Sequence, residues 1–142
     1  MKFSILAVGK LKDSGLRALC DDYKRRVSHY AAIEEHELKD DKALLKALPK
    51  DAQIICLEVW GSALSSQQLS DKVVQWGSQA NGHVCFVIGG AEGIPAKVRD
   101  AARFNLSLSS LTLPHRLARL ILLEQLYRAM SIWRGEPYAR ED

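Results

Sequence analysis

Gly89-Gly90-Ala91-Glu92-Gly93 stands between an apolar run and a helical pattern. Glycine at such a junction lets the backbone take positive φ and approach a ligand closely. The spacing is G-G-x-x-G, not the G-x-G-x-x-G of dinucleotide folds, and the lysine and hydroxyl of a P-loop are absent. A nicotinamide-type oxidoreductase or a P-loop nucleotide hydrolase therefore has little support. The plain alternative is a tight strand-to-helix turn that holds no ligand. Further along, Ser107-Leu108-Ser109-Ser110-Leu111-Thr112-Leu113-Pro114-His115 alternates hydroxyl residues with leucines before a long helical run. Main-chain amides and carbonyls beside leucine side chains can clasp a flat heterocycle such as adenine, whose edges need partners and whose faces need apolar cover. A hydroxyl-rich turn capping the helix would have the same composition.

His115, at the end of that segment, stands at a strand-end junction, where it is a candidate functional residue; the plain alternative is a residue that only starts the helix. The other histidines, His29, His36 and His83, are not clustered with it, and no metal-ligand spacing is present, so no metal site is expected. Ser107, Ser109 or Ser110 as a hydrolase nucleophile would lack the G-x-S-x-G elbow. Cys20, Cys56 and Cys85 are odd in number and form no close pair; reduced core thiols are the expected state. The tail, residues 134–142, is polar apart from Pro137, Tyr138 and Ala139. Tyr and Arg there can stack on a base and fork onto phosphate, or the tail simply frays.

The elements that must position these residues alternate between strand and helix. Apolar runs predict strands over residues 3–8, 31–38, 53–59, 83–88 and 106–109. Apolar recurrence at three and four predicts helices over 14–27, 65–80, 94–104 and 117–133, with a short one from Asp40 or Asp41 to Leu48. Ser14 is a candidate cap for the first of these. This order indicates an α/β fold with a parallel sheet covered on both faces, and ligands of such sheets bind at the carboxyl ends of the strands. That rule selects residues 59–61, 89–93 and 109–115. The last helix is apolar around most of its circumference, so it must be covered on most sides; a second copy of the chain would cover the remaining face, unless this is the central core helix of a monomer.

At 142 residues a single domain over 1–142 is the economical reading. No run approaches the roughly 20 apolar residues that cross a bilayer, and residues 3–8 are too short for a signal sequence. Net charge is only +3, but its distribution is uneven. Residues 51–95 carry Lys72 alone against four acids, whereas residues 96–142 carry Lys97 and seven arginines. Arginine's planar fork suits phosphate, so a polyanion could be a partner; scattered surface arginine is also what a plain solvated face looks like.

Residues 86–93, the Ser109–His115 ending of the hydroxyl-rich segment, Glu124-Gln125-Leu126-Tyr127-Arg128-Ala129 and Pro137-Tyr138 together resemble the ribosomal RNA large subunit methyltransferase H family. The resemblance covers essentially the entire chain. It implies a SPOUT-type sheet whose C-terminal part forms a deep trefoil knot, a topology that periodicity would not suggest. It further implies a cytoplasmic homodimer that holds S-adenosylmethionine in the knot, near the subunit boundary. The implied reaction is methyl transfer to N3 of a pseudouridine in large-subunit (23S) ribosomal RNA of the assembled ribosome, with neither DNA nor membrane as partner.

Carried over by residue, the resemblance assigns Leu57 to the adenosine pocket, Gly89 and Gly90 to close approach of the backbone, and Leu108, Ser109, Ser110, Leu111, Thr112 and Leu113 to a loop around adenine and ribose. His115, Glu124, Tyr138 and Arg140 fall near the target base: His115 to accept a proton, Arg140 to stabilise charge on the uracil ring, Tyr138 to stack or hydrogen-bond, Glu124 to orient a partner or sit at the dimer interface. One departure stands out. The family commonly ends His-Pro-Tyr-His-Arg, but this chain reads Glu136-Pro137-Tyr138-Ala139-Arg140. If the second histidine handles the N3 proton, Ala139 cannot replace it. The competing readings are a SPOUT enzyme for another RNA position, a ribosome-binding protein without turnover, and a small-molecule nucleotide-binding protein.

Overall fold

In the computed structural model, which describes residues 1–140 (Ala80 through its backbone only), five strands form one sheet with every neighbouring pair parallel. They are β1 (Lys2–Val8), β2 (Ala32–Leu38), β3 (Gln53–Ala63), β4 (His83–Ile88) and β5 (Phe104–Ser107), in the order β2-β1-β4-β3-β5. Parallel neighbours need crossovers, and α1 (Ser14–Val27), α2 (Asp41–Ala47), α3 (Ser66–Gly77) and α4 (Ala96–Asp100) supply them before the terminal α5 (His115–Trp133).

Side chains alternate along each strand, and the alternation splits the core in two. Phe3, Ile5, Ile55, Phe86 and Ile88 face one way and pack with Cys20, Val73, Trp76, Leu122 and Leu126 from α1, α3 and α5. Leu6, Ile54, Cys56, Cys85 and Val87 face the other way, against Leu44 of α2 and Ile94 and Val98 around α4. Both faces are therefore covered by helices, and the strands are apolar on both sides because both sides are interior.

Local boundaries follow from side-chain caps. Asp13, not Ser14, caps α1 by accepting from the Leu16 amide. Asp40 caps α2 through the Ala43 amide. Ser65 and Gln68 form a reciprocal box at the start of α3. The helix expected over 94–104 is a single short turn, because the Arg103 amide donates to the Ile54 carbonyl at 2.7 Å and draws the chain onto the sheet edge as β5. β3 runs on past Val59 to Ala63.

α5 buries Leu122, Leu123, Leu126, Ala129 and Met130, while Leu117, Leu120 and Ile121 are only half covered and Trp133 is exposed. Its Arg119 is 1% exposed. The guanidinium donates to Glu37 at 2.7 Å and to the Gly9 carbonyl at 3.4 Å, and lies 3.7 Å from Glu35. Glu37 also accepts from Arg17 and from the Leu11 amide, each at 2.7 Å. This ion cluster fastens α5 to the β2 edge and to the loop after β1.

Candidate active site

Leu57 and Ser62 of β3 both pair with Leu106 of β5, so Glu58-Val59-Trp60-Gly61 is bulged out between them. Such a bulge re-aims the side chains it carries. Gly61 makes it possible: a Cβ there would lie 2.6 Å from the Asn105 carbonyl oxygen. The bulge, the turn after β4 and the loop from β5 to α5 meet at the carboxyl ends of the strands. They enclose a cavity of about 470 Å³, within the roughly 300–1,000 Å³ usual for small-molecule sites.

Leu57, Gly89, Gly90, Leu108, Ser109, Leu111, Thr112, Leu113 and His115 all line that cavity. Ser110 is exposed and is not part of the wall. Glu58, Ile88, Ile94 and Ala118, outside the segments selected from the sequence, also line it. Glu58 had a visible signal, as the charge that interrupts an apolar strand; Ala118 needed only the helical step of four from Pro114.

The glycine turn closes on itself. The Gly93 amide donates to the Gly90 carbonyl at 3.0 Å, and Gly93 has φ +85°. A Cβ on Gly89 would meet the Gly93 carbonyl carbon at 2.6 Å, so that glycine is required by the turn itself as well as standing at the cavity wall. In the facing loop, Ser109 Oγ accepts from the Leu111 amide at 2.9 Å and Ser107 Oγ donates to the Ser109 carbonyl at 3.0 Å. These hydroxyls shape the loop, and its apolar side chains and backbone face the cavity.

His115 opens α5 at the cavity wall, and its Nδ1 is buried with no hydrogen-bond partner among the described residues. Glu58 is the one carboxylate of the wall among the described residues; it lies 3.5 Å from Arg99 Nε. The remaining sequence candidates are gathered elsewhere. Tyr138, in a 3-10 turn at Pro137–Arg140, donates its hydroxyl to Glu124 at 2.8 Å, and its ring lies 4.5 Å from that of Tyr127. Burial, then the Tyr23 and Glu124 contacts, push the Tyr138 phenol well above its ordinary range. Glu124 pairs with Arg128 at 2.8 Å. Arg140 is exposed and directs a nitrogen at the Gly135 carbonyl, 3.4 Å away. Glu136, the departure from the family ending, accepts from the Tyr30 hydroxyl at 2.6 Å. None of Glu124, Tyr138 and Arg140 lines the cavity. Of the tail considered above, Glu141 and Asp142 lie outside the described residues.

The three cysteines are free and buried. Burial pushes Cys20 and Cys56 up to about 11 and Cys85 to about 12, the reverse of what a thiolate nucleophile needs. Among the described residues no group of three or more His, Cys, Asp or Glu is arranged to hold a metal, and no helix is long and apolar enough to cross a membrane.

The fold has counterparts among solved structures. A probable methylase family protein from Haemophilus influenzae Rd KW20 superposes with a TM-score of 0.58 at 11% identity, over 96% of this chain and 69% of that one. The SpoU methyltransferase AviRb from Streptomyces viridochromogenes, solved in complex with AdoMet, gives 0.52 at 7% identity, over 95% and 61%. At such identities the likeness establishes the fold. Sequence establishes more. The chain is 48% identical to the ribosomal RNA large subunit methyltransferase H of Sorangium cellulosum, over 98% of this chain and 99% of that one. It is 38% identical to the protein of that name from Acetivibrio thermocellus, over 99% and 100%. A family model described as a predicted SPOUT methyltransferase matches residues 1–139. With matches that run nearly end to end through every wall of the cavity, this chain belongs to the ribosomal RNA large subunit methyltransferase H family of SPOUT methyltransferases, and the family's trefoil knot comes with that membership.

Proposed function

We propose that this chain methylates N3 of a pseudouridine in large-subunit ribosomal RNA of the assembled ribosome, using S-adenosylmethionine, as a cytoplasmic homodimer. The observation that carries the reading is the cavity at the carboxyl ends of β3, β4 and β5, with His115 in its wall. Its character fits the cofactor: leucines and the backbone of residues 108–113 suit an adenosine, and Glu58 offers negative charge to a cationic ligand. The bound cofactor supplies an electrophilic methyl group on a sulfonium.

The protein's part is chiefly positioning, because an in-line displacement needs nucleophile and methyl carbon held in register. The new N3–CH3 bond forms as the S–CH3 bond breaks, and the N3 proton must leave. His115 receives it; the unpartnered Nδ1 leaves the ring free of a competing bond. Arg140, Tyr138 and Glu124 lie away from the cavity wall of their own subunit, so these groups come from a second copy, with Arg140 stabilising charge that develops on the uracil ring. The half-covered leucines of α5 support such pairing.

The test is methyl transfer from labelled S-adenosylmethionine to ribosomes that lack the modification, with the labelled nucleotide identified by mass spectrometry. Label on N3 of a pseudouridine is expected. Label at another position, or cofactor binding without transfer, would overturn the assignment in favour of a different RNA target or a ribosome-binding role.

A further inference from the structure

The bulge that brings Glu58 and Val59 to the cavity also pushes Trp60 outward. Trp60 is 61% exposed, an uncommon state for the largest apolar side chain. Strand alternation sends it to the α4 side of the sheet, where the Arg99 guanidinium lies 5.6 Å from the ring centroid. Arg99 is itself held: it donates to the Ile94 carbonyl at 2.9 Å and lies 3.5 Å from Glu58. One side of the indole is thus braced by a fixed cation while the rest of the ring meets solvent. Val59, the neighbour of Trp60 in the chain, and Leu111, 52% and 74% exposed, belong to the cavity wall.

We propose that Trp60, backed by Arg99, is a stacking platform for a base of the RNA substrate. This rests on the RNA-methylating reading above. Trp60 lies outside the cavity wall, so the base it takes is a neighbour of the methylated nucleotide rather than the target. Charge favours RNA over a second copy of the chain as the occupant. Lys97 and Arg99 stand on α4 and Arg103 follows it, with Asp100 as the acid of that helix and Glu58 already engaged by Arg99. An aromatic face beside arginine is how single-stranded bases are gripped without reading their sequence. The rigid bulge keeps the ring in place before RNA arrives, so little ordering is required on binding.

The experiment compares Trp60→Ala, Trp60→Phe and Arg99→Met with the unaltered full-length protein, measuring ribosome binding by cosedimentation and methyl transfer at saturating S-adenosylmethionine. Trp60→Ala is expected to raise Kd and KM for ribosomes about tenfold, with kcat and cofactor affinity within about twofold. Trp60→Phe should recover most of the loss, and Arg99→Met should fall between. Weakened binding by Trp60→Ala in a protein that proves unable to methylate would support the platform while removing the enzymatic reading. Unchanged ribosome binding and KM would overturn the platform. So would a Trp60→Ala protein that sediments as a smaller species, which would assign Trp60 to contact between copies.

Discussion

The His115 imidazole lies across the turn at Gly9, where a Cβ would sit 3.5 Å from its Cε1. That spacing is an ordinary contact, so the glycine is required there for its backbone, at φ +102°. The Gly9 amide donates to the Leu38 carbonyl at 2.8 Å, and its carbonyl faces Arg119. The support under His115 is thus made from the ends of β1 and β2. Gly9→Ala is expected to cost about 1–2 kcal/mol, the left-handed strain of a Cβ-bearing residue. Relaxation of that strain should move the turn and the His115 ring resting on it, seen as shifted imidazole resonances. An unaltered urea midpoint with unmoved resonances would refute this.

His115 as proton acceptor makes a kinetic prediction. His115→Ala should lower kcat by roughly 10²- to 10⁴-fold and leave cofactor affinity nearly unchanged. Restoring the family's second histidine as Ala139→His should not rescue it. Recovery in the double variant would assign the proton to the tail.

Arg119 and Glu37 tie stability to acid. Burial opposes charge on Glu37, yet the Leu11 amide and the Arg119 guanidinium outweigh it and hold the carboxyl below its ordinary 4.5. A depressed carboxylate contributes stability above its unfolded value that is lost as pH falls through the folded one. Unfolding free energy should therefore decline below pH 4.5, and Glu37→Gln should flatten that decline. Arg119→Met strands the buried end of the carboxylate cluster and should cost about 3 kcal/mol in urea melts at neutral pH.

Gly61→Ala drives a methyl group into the Asn105 backbone. A cost of about 1–3 kcal/mol is expected from the overpacking, with weakened S-adenosylmethionine binding in calorimetry because the bulge forms part of the cavity wall. Full affinity in this variant would show that the bulge can shift without consequence.

The thiols govern the alkaline side. Burial raises Cys20 and Cys56 to about 11 and Cys85 to about 12, from an ordinary 9. Groups with raised values favour the fold below their unfolded pKa and lose that contribution as pH rises to the folded one. Stability should fall between pH 9 and about 12, and a thiol reagent at pH 8 should label the cysteines only after urea unfolds the chain.

Much of this was legible in the residues. Strand β4 matches its expected span to the residue, because six consecutive partly or wholly buried positions between Gly82 and Gly89 leave little freedom. Most of the cavity wall followed from the carboxyl-end rule and the family motifs; Ser110 stands outside it, and Glu58, Ile94 and Ala118 were added by the fold. Longer-range effects were hidden. The helix expected over 94–104 was cut short by a hydrogen bond to Ile54, a partner far away in sequence. Neither the bulge at Glu58–Gly61 nor the separation of Tyr138 and Arg140 from His115 could be read from spacing, since both depend on how β5 and the tail pack against elements already in place.

The cavity takes its walls from three stretches of chain, the first ending at Val59 and the last running from Leu108 to Ala118 with gaps such as Ser110, so it is also a clock. As the chain leaves the ribosome that makes it, β1 to β4 can assemble while the last wall is still unsynthesised. β5 must then find the outer edge of β3, and only α5 brings His115 against Gly9. Parallel pairings of such sequence separation form slowly. A nascent chain that ends before α5 would have a sheet whose cavity still lacks its last wall.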